Sequence, residues 1–132
     1  MTQTTLLPEG WDPPRGYANG IAVTGSRWLF LGGQIGWNAR QELESDDLVA
    51  QIRQALENIV AVLAAGDARP EHLVRLTWYV TDRDAYLASL KEIGAVYRDV
   101  IGRHFPAMSV VEVSRLVEER AKVEIEATAV LP

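Results

Sequence analysis

The sequence predicts an α+β fold, a mixed β-sheet with two helices on one of its faces. Apolar residues recur at three- and four-residue steps over two stretches and alternate or run together over several others, and the two kinds are interleaved as β-β-α-β-α-β-β. At 132 residues the chain fits a single domain spanning 1–132. A domain of that size buries roughly two thirds of the surface its unfolded chain exposes.

The N-terminal segment to residue 20 carries Pro8, Pro13 and Pro14 with Gly10, Gly16 and Gly20. It is expected to be extended and irregular before a strand near Ile21 to Val23. Thr24-Gly25-Ser26 is a turn, and Arg27 to Leu31 is apolar on both alternating sets, the pattern of a strand buried on both faces. Gly32-Gly33-Gln34 ends it. From Asp46, Leu48, Ile52, Leu56, Ile59 and Leu63 mark a helix with Asp46 as N-cap and Gly66 as its stop. Leu73 to Val80 alternates, with Val74, Leu76, Trp78 and Val80 on one face. Asp82 caps a second helix with the stripe Tyr86, Leu90, Ile93, Tyr97 and Val100 or Ile101, ending at Gly102. Strands about Met108 to Val113 and Ala121 to Val130 complete the chain.

Composition narrows the function classes. A net charge of −5, with Lys and Arg dispersed, provides no basic track for nucleic acid. The absence of cysteine excludes disulfides, thiolate metal sites and a thiol nucleophile. Met1 to Trp11 does not have the pattern of a leader, and no run of 18 apolar residues suggests a membrane span, so the expected location is the cytoplasm. Two helices cover one face of the sheet, whereas the strands are apolar on both. The uncovered face would exceed the apolar patch a soluble monomer usually exposes, so other copies of the chain are expected to cover it.

The last two strands contain Phe105-Pro106-Ala107-Met108-Ser109-Val110-Val111-Glu112-Val113 and Val123-Glu124-Ile125-Glu126-Ala127. With Gly16-Tyr17-Ala18-Asn19-Gly20, Gly33-Gln34-Ile35, Gln54-Ala55-Leu56-Glu57-Asn58 and Tyr79-Val80-Thr81-Asp82, the sequence resembles the Rid (YjgF-like) family over nearly its whole length. These are the reactive-intermediate deaminases, in older usage L-PSP endoribonuclease-like proteins. The resemblance implies a chorismate-mutase-like protomer, a homotrimer with its sheets facing the trimer core, and small-molecule clefts between subunits. It also implies hydrolysis of 2-imino or 2-enamino acids without a cofactor.

Carried over by position, Glu124 matches the family's water-positioning glutamate and Tyr17 its substrate-orienting tyrosine. Met108, followed by Ser109, matches the arginine that grips the substrate carboxylate. Gly32 and Gly94 match a polar serine and asparagine, and Val110 a cysteine. A thioether has neither charge nor donor, whereas a guanidinium binds a carboxylate bidentately. Leaving that carboxylate unpartnered costs on the order of 3 to 5 kcal/mol, so weak or absent turnover of standard 2-imino acids is expected. Arg15, Arg103 or Arg115 reaching the cleft is the alternative. Small residues at 32 and 94, with Trp37, Trp78 and Met108 nearby, would suit a bulkier, less charged ligand.

Other motifs carry less. His72 and His104 are too far apart in sequence, with no partner at ligand spacing, to suggest a metal site. Gly32 to Gly36 does not lead into a helix, which removes a dinucleotide reading, and Ser109 has no elbow motif or nearby histidine. Glu126 reads as part of a polar, salt-bridged face with Lys122, and Trp28, Trp37 and Trp78 as core and interface packing. Three readings stay open: a divergent enamine or imine deaminase, a non-catalytic trimer binding a small molecule, and a chaperone-like or regulatory trimer. A glutamate in an apolar cleft has its pKa raised by desolvation and can serve as acid or base. Glu124→Gln is therefore expected to remove a limb of the pH–rate profile; an unchanged profile would remove this role.

Overall fold

The longest helix, α1 (Leu48–Ala65), organises the rest of the chain in the computed structural model, which describes residues 2–132. Met1, the first residue of the stretch read for a leader, lies outside them. Ile52, Ala55, Leu56, Ile59 and Leu63 of α1 are fully buried. Burial of each large side chain among them contributes about 1.5–3 kcal/mol. By length and composition α1 could cross a membrane, but this stripe makes it the core helix of the fold. Asp47, one residue after the expected Asp46, is the N-cap, accepting from the Ala50 amide at 2.9 Å. Asp46 instead pairs with Arg120.

The helix lies on a mixed four-stranded sheet. Besides β1 (Thr2–Leu6) and β2 (Gly20–Thr24), the strands are β3 (Arg27–Ile35), β4 (Leu73–Val80), β5 (Ala107–Glu112) and β6 (Val123–Leu131). The sheet order is β3-β6-β4-β5, with β6 antiparallel to both neighbours and β4 parallel to β5. Two expectations are corrected here. The N-terminal segment is not irregular throughout, because Thr2–Leu6 pairs with β2, and this two-stranded ribbon is separate from the main sheet. The second helix is broken at Ser89 (φ −112°, ψ 14°) into α2 (Arg83–Ala88) and α3 (Leu90–Val100). Asp82 does cap it, accepting from the Ala85 amide.

The helical layer covers one face of the sheet. Leu76, Trp78, Val80, Val123, Ile125 and Ala127 point into it and are buried. On the other face, Trp28 is 58% and Phe30 75% exposed, so within one chain β3 is buried on one side only. That face also carries Arg75, Thr77 and Tyr79 of β4 and Glu124, Glu126 and Thr128 of β6, as the strand pairing requires.

One buried polar side chain ties the layers together. Gln51, 1% exposed, donates from Nε2 to Ser45 O at 2.9 Å and Arg120 O at 3.1 Å, and accepts from the Lys122 amide at 2.8 Å. The chain after β3 passes so close that a Cβ at Gly36 would lie 2.6 Å from Gln51 Cα, which only glycine permits. Gln51→Leu leaves these backbone groups without partners and is expected to lower unfolding stability by about 2 kcal/mol or more, measured by urea denaturation.

Candidate functional site

A cavity of about 600 Å³ opens between β5, α3 and the loop before β2. The loop is held there by the Ala18 amide, which donates to Pro106 O at 3.0 Å, and by a parallel bridge from Ala18 to Ala107. This pins Tyr17 beside Met108. Gly94 of α3 completes the set, so Tyr17, Gly94 and Met108, predicted from separate parts of the sequence, line one cavity. Val110 and Trp78 line it too. Trp37 is not among its lining residues.

The walls are largely aromatic and aliphatic, including Tyr86, Ile93, Tyr97 and Phe105. Tyr97 stacks on Phe105 with ring centroids 5.4 Å apart and donates its hydroxyl to His104 O at 2.6 Å. Burial pushes the Tyr97 phenol far above the usual tyrosine range and raises that of Tyr86. Two cationic side chains share the cavity: Arg15 at the loop and Arg98 on α3. Of the three arginines considered from sequence, Arg15 is at this cavity, Arg115 lies in a separate depression with Arg120 and Lys122, and Arg103 lines neither. Arg98 was missed. Its signal was its spacing, four residues after Gly94 on the same face of a helix.

The remaining predicted residues lie elsewhere. Register places Met108 opposite Leu76, on the helix-covered face, and Glu124 opposite Tyr79, on the open face. Ser109 pairs with Thr77, so it too faces away from the cavity. Gly32 and Gly33 form an irregularity in β3 between Leu31 and Gln34. The Glu124 carboxylate lies against Gly33, where any side chain would collide with it. Gly32 has open space around it. One chain therefore presents two groups: Tyr17, Gly94 and Met108 in the cavity, and Glu124 with the Gly32-Gly33 bulge on the opposite face.

The two carboxylates of β6 differ. Glu126 accepts a 2.6 Å hydrogen bond from the Tyr79 hydroxyl, in place of the expected ion pair with Lys122. That bond, followed by burial and the Glu126 and Glu124 charges, raises the Tyr79 phenol. Glu124 makes no side-chain hydrogen bond among the described residues and keeps its acceptors available. The described residues contain no cluster of metal-ligating side chains.

The family profile described as Endoribonuclease L-PSP matches residues 11–131. The chain is 38% identical over 119 residues to protein DfrA of Myxococcus xanthus, covering 86% of this chain and 84% of the relative. It is 37% identical over 117 residues to the 2-iminobutanoate/2-iminopropanoate deaminase of Salmonella typhimurium, covering 86% of each. Among solved structures, YyfB of the Rid protein family from Yersinia pestis superposes with a TM-score of 0.88 at 35% identity, covering 99% of this chain and 100% of that one. The YjgF gene product of Escherichia coli does so at 0.67 and 32%, covering 96% and 98%.

Tyr97 provides a pH-dependent test of the cavity wall. Its folded-state pKa lies above its unfolded value, so its contribution to stability is fully present below about pH 10 and lost as pH rises further. Urea midpoints of the parent are expected to hold up to about pH 10, the ordinary tyrosine value, and to fall above it. Tyr97→Phe, less stable at pH 8 for want of its hydrogen bond, is expected to show a shallower decline.

Proposed function

Because this chain belongs to the Rid family, matched as Endoribonuclease L-PSP, we propose that it hydrolyses enamine or imine acids in clefts shared between copies of the chain in a homotrimer. The observation that carries this reading is the division of the predicted residues between opposite faces of one sheet. A cavity bearing Tyr17 and Met108 needs a carboxylate from elsewhere, and the open face bearing Glu124 needs a cover. A neighbouring copy supplies both. Exposed Trp28 and Phe30, on the same sheet face as Glu124, favour such burial against a second chain.

The chemistry follows from the groups brought together. Water adds to the electrophilic carbon of the protonated imine, giving up a proton to the Glu124 carboxylate. Glu124 returns that proton to the amino nitrogen, the carbon–nitrogen bond breaks as the hydroxyl oxygen forms the carbonyl and gives its proton to the departing ammonia, and ammonium and a 2-keto acid leave. Tyr17 orients the substrate. No cofactor enters this balance. Single-stranded RNA is a poor match for an acidic chain whose cavity is walled by apolar groups. This chemistry suits a soluble protein of the cytoplasm.

With Met108 in place of the family arginine, short 2-imino acids are expected to be poor substrates, and Met108→Arg to raise kcat/KM for 2-iminobutanoate roughly a hundredfold. Ammonia release from imines generated in situ measures this. If neither protein releases ammonia, the non-catalytic binding reading takes its place. The shared cleft has its own test. Glu124→Gln and a cavity-filling Gly94→Trp variant are each expected to be inactive, whereas chains unfolded and refolded together in equal amounts recover about a quarter of parental activity through mixed clefts. No recovery from mixed trimers would overturn the shared cleft.

A further inference from the structure

Within one chain the cavity around Met108 is rich in hydrogen-bond donors and has no acid among its lining residues. Arg15 and Arg98 line it, and neither makes an ion pair or a side-chain hydrogen bond among the described residues. The chain's other arginines include several that are engaged: Arg53 with Asp99, Arg69 with Glu71 and Arg120 with Asp46. In a protein of net charge −5, two unpaired guanidinium groups on one apolar cavity form a local site of opposite sign. The buried indole Nε1–H of Trp78, another wall residue, also has no acceptor.

We propose that Arg98, assisted by Arg15 at the rim, receives the acid group of the ligand in place of an arginine at position 108, and so selects carboxylates with a large apolar or aromatic body. This rests on the small-molecule cleft proposed above and specifies what that cleft accepts. Gly94 makes the arrangement sterically open: a Cβ there would lie 3.4 Å from Arg98 Nη1, so a larger side chain would press on the guanidinium. The cation has moved from the strand to the helix on the far wall. The same walls present Met108, Phe105, Ile93 and Tyr97, which offer contact to a hydrocarbon or ring but no charge. A cavity of about 600 Å³ with such walls gives apolar contact to an acid carrying a large body and little to a short one.

The test compares calorimetric binding of phenylacetate and its neutral isostere phenylacetamide to the full chain in its native assembly. Phenylacetate is expected to bind at least tenfold more tightly, with affinity falling as salt rises. Arg98→Gln is expected to weaken phenylacetate roughly 10- to 100-fold and leave phenylacetamide unchanged, Arg98→Lys to fall between, and Arg69→Gln, outside the cavity, to have no effect. Equal affinities for acid and amide, or undiminished phenylacetate binding by Arg98→Gln, would overturn the proposal. If Arg98→Gln alters the assembled mass, the acid–amide comparison on the parent and on Arg15→Gln decides. Ammonia release separates the two proposals: acid-selective binding without turnover removes only the hydrolase reading, and turnover with KM indifferent to Arg98→Gln removes only this one.

Discussion

A single sheet with two faces and helices for only one of them constrains everything else in this protein. The buried stripe of α1 and the inner residues of β4 and β6 form a core that needs no partner. The other face combines aromatic surface with a row of polar side chains, and these ask for different environments. Aromatic rings on an open sheet favour burial, whereas a carboxylate such as Glu124 tolerates it only beside groups that use its charge. The shared cleft proposed above would reconcile the two demands.

The cavity side of the molecule combines apolar surface with charge. Position 108 is a thioether, 94 a glycine and 110 a valine, so the wall carries no polar side chain at these places. Charge is nonetheless present, on α3 and on the loop carrying Tyr17. A pocket that sets cations among apolar walls discriminates by shape as well as by charge.

Much of this was legible in the amino-acid pattern. The period of α1, the alternation of β4 and the capping role of Asp82 followed from local rules, because each depends on residues a few positions apart. The strand at Thr2–Leu6 was not legible: five polar-rich residues pair with β2 across a proline- and glycine-bearing loop, and nothing local announces that partner. The break at Ser89 was hidden by an apolar stripe that continues through it from Tyr86 to Tyr97. In the site, Tyr17, Gly94 and Met108 could be named but their separation from Glu124 could not, since alternate faces become meaningful only once strand register is known. Arg98 was not legible because the fold brings α3 and β5 to one cavity, and that placement is not written in the strand motif.

The bridge between Ala18 and Ala107 has an effect beyond holding Tyr17. β5 is the outer strand of the sheet, and such a strand offers unpaired backbone groups to any extended chain that approaches. By occupying the beginning of that margin, a loop segment shortens the stretch open to unwanted strand addition. The contact that holds the loop beside Met108 thus also protects the sheet, so a change at Pro106 or Ala107 would be felt at once in the shape of the cavity and in colloidal behaviour.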